Sequence, residues 1–165
     1  MIAVILCLAF PALLLYAAWS DLKSMEIPNW VSISLALAFV PAALASGFTW
    51  GQIGLHMIFG AGVLAVCAGL FYLNVFGGGD AKVIAAASMW TGLAATGRFV
   101  FYMALAGGLL AGLLIVLRRA GLRSDQPWAK RLLSPEEGAP YAVAIAAGAL
   151  LAAPAMPILS DAFAV

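Results

Sequence analysis

Long apolar runs separated by short polar connections dominate the chain. A membrane-crossing helix takes about 20 mostly apolar residues. Six segments approach that form: Ile2–Trp19, Trp30–Ser46, Ile53–Leu73, Ala81–Thr96, Phe99–Leu117 and Tyr141–Leu159. No period-2 alternation marks a strand, and an open sheet in lipid would leave backbone groups unpaired. The predicted fold is therefore all-α, a polytopic membrane protein built as a six-transmembrane-helix bundle. The fourth segment is short, and Pro41, Pro154 and Pro157 are expected to bend the second and sixth. Gly108-Leu109-Leu110-Ala111-Gly112 has the small-xxx-small form that lets helix backbones approach closely.

Composition strengthens the membrane reading. Of 165 residues, 65% are hydrophobic and 9% charged, against about 45–50% and about 25% in soluble domains. Residues 1–165 are expected to form a single membrane-embedded domain with no separate soluble one. The net charge of +1, with no basic block, gives no sign of a nucleic-acid partner. Cys7 and Cys67 lie in apolar runs and are expected as buried thiols. There is no CxxC pair and His56 stands alone, so neither a metal site nor a cofactor is expected. The first apolar run has no basic stretch before it, which favours a retained first helix over a cleaved signal.

Charge placement sets a predicted orientation. Lys23, Lys82, Arg118, Arg119, Arg123, Lys130 and Arg131 fall on one side of the six-helix topology, and Arg98 alone falls on the other. Basic residues collect on the cytoplasmic side, so the first side is cytoplasmic and both termini face outward. The basic loop 118–140 is the longest polar segment. Its Trp128, beside Lys130 and Arg131, reads as an interfacial anchor, and Ser134-Pro135-Glu136-Glu137 has the form of a helix start.

Two of the acidic residues stand apart. Asp21 and Asp80 lie at the edges of apolar segments in matching surroundings, Asp21-Leu22-Lys23 and Asp80-Ala81-Lys82. Carboxylates at membrane boundaries are costly and mark function or pairing. The plain reading is that each carboxylate pairs with a lysine at the interface. The alternative is that helices one and four pack together, so that the two carboxylates meet at one depth. Two such carboxylates can share one proton and hold a water between them, the arrangement used to hydrolyse an amide without metal. Gly77, Gly78 and Gly79, lacking Cβ atoms, would allow unusual backbone angles and close approach of an extended substrate. Asp80 opens a helix and Asp21 lies near the end of one, so the helix dipole, worth about 0.3–1 kcal/mol, casts Asp80 as the base and Asp21 as the proton donor.

These residues resemble the GxGD membrane aspartyl proteases, and within them the bacterial prepilin peptidases. Three blocks carry the likeness: Asp21-Leu22-Lys23-Ser24-Met25-Glu26-Ile27-Pro28-Asn29, Gly77-Gly78-Gly79-Asp80-Ala81-Lys82 and Gly138-Ala139-Pro140-Tyr141-Ala142. The resemblance implies that Asp21 and Asp80 are the catalytic pair. Lys23, Pro28, Asn29, Lys82, Pro140 and Tyr141, with the three glycines, would shape the active-site loops or bind substrate. It implies a prepilin precursor as substrate, cut after a short basic leader at the cytoplasmic end of its hydrophobic segment, in the bacterial inner membrane. The lipid bilayer is the other implied partner, and oligomeric state is left open. Larger members carry two CxxC pairs and also N-methylate the new terminus. Neither pair is present here, so methyltransferase activity is not expected, and the compact form is similar to the small peptidases of tight-adherence pilus systems. Two other classes share some of these features: a small proton-coupled transporter, which would need a polar path to the outer side, and a non-catalytic pilus-assembly subunit.

Overall fold

The computed structural model describes every residue except 76, 122–123, 135–137 and 164–165, and the side chains of 161–163 are likewise outside the description. The helix start expected at Ser134-Pro135-Glu136-Glu137 falls largely outside the described residues. Among those described, all regular structure is helical. The elements are α1 (Ile2–Cys7), α2 (Ala9–Ser24), α3 (Asn29–Ala45), α4 (Trp50–Tyr72), α5 (Gly78–Arg119), α6 (Pro127–Leu133), α7 (Tyr141–Ala152), a 3₁₀ turn (Ala153–Ala155) and α8 (Pro157–Phe163).

Three stretches are long and apolar enough to cross a membrane: Ile2–Ser24, which takes in α1 and α2, then α4 and α5. The α3 and α7 helices are apolar but shorter. Leu37, Leu55, Ile58, Leu93 and Leu109 are each more than half exposed. So large an apolar exterior suits a lipid solvent and not water. Pro41 is accommodated within α3, whereas the chain after α7 changes to a 3₁₀ turn at Pro154 and restarts as α8 at Pro157.

The main difference from the sequence reading lies in α5. Helices four and five were expected to be separated near Arg98. Instead helical structure runs from Gly78 to Arg119, with one non-helical residue, Gly92, at φ 56° and ψ −173°. The chain folds back at that residue. Tyr141 packs its ring on Gly107 and lies within electrostatic reach of Asp80. In an unbroken helix rising ~1.5 Å per residue, Asp80 and Gly107 would be ~40 Å apart. The two arms of α5, residues 78–91 and 93–119, must therefore run back alongside each other.

His56 of α4 fills the corner. In an unbroken helix the Met89 carbonyl would accept from the N–H of Leu93. Here His56 Nδ1 lies 2.7 Å from that carbonyl, so Nδ1 carries the proton and donates it. The imidazole is stacked on Phe39 and meets Phe48 edge-on. A Cβ built on Gly92 would sit 2.5 Å from His56 Cε1. Glycine is thus required twice over, by the positive φ and by the ring against it. Polar groups left over by a break in a lipid-embedded helix must be satisfied by the protein itself, and the lone histidine serves that purpose.

The core gathers around the first arm of α5. Trp90 is fully buried, donates its indole N–H to the Leu35 carbonyl of α3 at 2.9 Å, and packs on Phe10 and Phe39. The second arm carries α7, where Gly148 presses on the backbone of Met103 with 2.7 Å between its notional Cβ and the Met103 Cα. The expected close-packing pair, Gly108 and Gly112, instead faces open space, and Gly107 and Gly148 make the contacts. Spacing marks a helix as able to pack closely but does not say which of its adjacent small residues faces inward. Cys7 and Cys67 are buried free thiols.

Replacing Gly92 by alanine is expected to cost at least about 1–3 kcal/mol, the price of a forced backbone conformation. The Gly92→Ala effect should shrink in a His56→Ala background, where the clash is gone. Equilibrium unfolding of the four proteins in mixed micelles measures both.

Candidate active site

Three helix ends converge at the site. Asp21 lies one turn before the end of α2 and is only 7% exposed. The helix continues past it to Ser24, closed by Met25 in the left-handed conformation (φ 55°), whose N–H returns to the Asp21 carbonyl at 2.8 Å. Ser20 and Ser24 bind the exposed end together: Ser20 Oγ donates to the Glu26 carbonyl and Ser24 Oγ to the Ser20 carbonyl, both at 2.8 Å. The turn through Ile27 and Pro28 then starts α3 at Asn29.

Asp80 sits in the first turn of α5, half-buried. Its carboxylate folds back onto Gly77, and a Cβ on Gly77 would stand 3.0 Å from Asp80 Oδ2. Asp80 lies within electrostatic reach of Asp21, so the two carboxylates do share one locality.

The third contributor is α7. The backbone N–H of Ala142, in its first turn, donates to Asp21 Oδ2 at 2.9 Å. Pro140 precedes that helix and is buried; Tyr141 stands between Asp80 and Gly107. The Pro140-Tyr141 block marked this place in the sequence. The backbone donor beside it carries no side-chain signal. It also removes the basis of the expected base and acid assignment: Asp21, like Asp80, faces the positive end of a helix, so the dipole no longer distinguishes them.

The glycines act differently from the sequence expectation. Gly77 has ordinary extended backbone (φ −68°, ψ 146°), and Gly78 and Gly79 already belong to α5. None of the three has positive φ. Their use is close approach: Gly78 lies against the Phe71 ring, and Gly79 against Ile27, where a Cβ would come within 3.3 Å. The missing side chains bring the turn after α2 directly onto the start of α5.

Both lysines turn away from their aspartates. Residues two apart on a helix face nearly opposite sides. Lys23 is exposed, its Nζ 4.9 Å from the centre of the Trp19 ring. Lys82 donates to Asn29 Oδ1 at 2.8 Å. Neither aspartate is therefore held by the lysine that follows it. The basic segment after α5 is tied back to the body: Arg118 donates to the carbonyls of Leu132 at 2.9 Å and Gly138 at 3.0 Å, and Arg131 reaches the Ser24 carbonyl at 3.5 Å. Trp128 is half exposed beside Trp19 and Lys23. Among the described residues, no three His, Cys, Asp or Glu side chains gather at one place.

Comparison with known families falls on this same region. The model of the type IV leader peptidase family matches residues 8–116. That span takes in both aspartates, their surrounding blocks, the first arm of α5 and all but the last three residues of the second, and ends before α7. No curated protein and no solved structure matches the chain significantly.

The Ala142 contact makes a stability prediction separate from activity. Asp21→Ala leaves a buried N–H without its acceptor and is expected to cost about 1–3 kcal/mol. Asp21→Asn retains an oxygen for that N–H and should lose clearly less. Thermal unfolding of the two variants in detergent ranks them.

Proposed function

The chain belongs to the type IV leader peptidase family, and from that premise we propose that it is an aspartic endopeptidase that removes the basic leader from type IV-like prepilins. One observation carries the proposal: two carboxylates from distant parts of the sequence lie within electrostatic reach of each other where the ends of α2, α5 and α7 converge, and neither is neutralised by its adjacent lysine.

The chemistry follows from the pair. Two carboxylates in one locality favour holding a single proton between them. A water lodged between them is deprotonated by the ionised partner as it attacks the scissile carbonyl, while the protonated partner donates to the carbonyl oxygen. As the tetrahedral intermediate collapses, one of its two hydroxyls returns a proton to the partner carboxylate, and the expelled amine takes a proton from the carboxyl that received one from water. The dyad returns to its starting proton count. The Ala142 N–H fixes one oxygen of Asp21, which leaves the other available to water or substrate. The half-exposed turn 77–80 offers an approach for an extended peptide.

The membrane placement completes the proposal. Six crossings are formed by Ile2–Ser24, α3, α4, the two arms of α5, and α7 with the turn and helix after it. The fold-back at Gly92 supplies the outer turn between the fourth and fifth. Lys23, Lys82 and the basic segment 118–140 then lie at the cytoplasmic face with the dyad and both termini lie outside, while Arg98 stands less than two turns into the returning arm, in the outer half. Within the bacterial inner membrane, such a site meets a leader before the substrate is assembled. Methyl transfer is not part of the proposed activity.

Co-expression with a leader-bearing prepilin and analysis by gel shift tests this reading. Asp21→Asn and Asp80→Asn should each lower cleavage by about 10³-fold or more, and the double variant should be little worse than either single one, as for residues that act as a unit. Substantial cleavage by either single variant would sink the two-carboxylate mechanism. Cysteines placed in turn at positions 50 and 126 in a background lacking Cys7 and Cys67 should react with an impermeant thiol reagent from outside at 50, and at 126 only after the inner face is opened.

A further inference from the structure

An apolar groove runs along the membrane-facing side of the molecule and ends at the depth of the candidate dyad. The α3 and α4 helices are joined by a short turn, yet each packs on the first arm of α5 and hardly on the other. Between them lies a cavity of about 580 Å³. Its floor is made by Ala85, Ala86 and Met89 of α5, and Ala61 and Met57 line it from α4. Met89 lies across Gly60, whose missing side chain lets it lie flat. One end of the groove is polar, formed by Lys82 and its partner Asn29. From Lys82 to Met89 the floor extends ~10 Å, about two turns of helix.

Three features specify what this groove accommodates. It is apolar along its length and polar only at one lip. The walls combine small residues, which admit a close backbone, with methionines, whose flexible thioethers adapt to varied side chains. Its polar lip lies at the depth of the dyad, on the other side of α5: Lys82 is within one turn of Asp80 along the helix, and the Asn29 it binds lies two residues after the Ile27 that packs on Gly79. A helix lying in the groove with its polar end at the lip would send the chain preceding it across the half-exposed glycine turn 77–79 to Asp80.

We propose that this groove receives the apolar helix of the substrate and thereby places the leader junction at the dyad. The inference rests on the peptidase reading above. It adds a specificity device: the enzyme measures cleavage from the end of a seated helix, so a substrate lacking that helix is bound weakly even when its junction sequence is intact.

Ala61→Phe tests the groove without touching the dyad. Ala61 is exposed on α4, so a larger side chain there projects into the groove and not into the core. Cleavage is measured on a membrane-embedded precursor and on a short peptide that spans the junction but lacks the helix. The expected result is a KM about tenfold higher for the precursor, with kcat unchanged, the mark of lost uniform binding. Kinetics on the peptide should not change, and Val66→Phe, exposed elsewhere on α4, should leave both substrates unaffected. Unchanged kinetics on the precursor would overturn the proposal and leave the groove to lipid. Equal slowing of both substrates would also overturn it, as a general packing effect. A wild-type chain that cleaves neither substrate would remove the peptidase reading, and this inference with it. As an independent measurement, Ile33→Cys on the groove wall should cross-link to a cysteine in the substrate's apolar segment when Asp80→Asn holds the precursor uncut. Absence of that cross-link, with expression of both chains confirmed, counts against the groove.

Discussion

The fold-back at Gly92 is the constraint from which the remaining architecture follows. A straight helix of 42 residues would be ~63 Å long, about twice the thickness of a bilayer's hydrocarbon core. Turning it back lets both arms share one depth, but a turn within lipid exposes backbone groups that water cannot reach. His56 resolves the conflict at the Met89 carbonyl, and its ring occupies the space that a side chain at residue 92 would need. With the arms paired, Gly107 and Met103 form the surface that receives Tyr141 and Gly148 of α7. The seating of α7 then brings the Ala142 N–H to Asp21. Corner, helix seat and candidate site form one chain of dependence.

Packing in this molecule relies on shape more than on hydrophobicity. Lipid tails are as apolar as leucine, so burying leucine against leucine gains little, and close van der Waals contact and internal hydrogen bonds take over. The glycines divide accordingly. Gly60, Gly79, Gly107 and Gly148 lie beneath a neighbour that a side chain would displace, whereas Gly108 and Gly112 face outward and bear no such load. The few buried polar side chains are satisfied: Trp90 donates to Leu35, Ser88 to Ile84, and Asp21 accepts from Ala142. No buried side-chain polar atom among the described residues lacks a partner.

The proposed site combines rigidity with access. Asp21 is enclosed and held by a backbone donor, whereas Asp80 stands in a first turn that remains half open. Such a division suits a peptidase, in which one carboxyl needs a fixed orientation and the other must meet an incoming chain. The groove gives the apolar part of that chain somewhere to lie, with the polar lip at Lys82 and Asn29 marking where helix gives way to extended peptide. Recognition and chemistry would then lie on opposite sides of the start of α5.

Much of this was legible in the residues. An apolar fraction of 65% and long uncharged runs establish a helical membrane protein, because only segments that satisfy their own backbone can sit in lipid. Two aspartates at the edges of such runs, one after three glycines, single themselves out because a boundary carboxylate is expensive to keep. These are local properties, carried by composition and spacing along the chain. The packing of the bundle settled the rest. It moved the break from the neighbourhood of Arg98 to Gly92, chose Gly107 over Gly108 as the contact, turned both lysines away from the dyad, and supplied a backbone N–H that no side chain announces. Each of these depends on which face of a helix meets which neighbour, and that is decided by contacts between residues far apart in sequence.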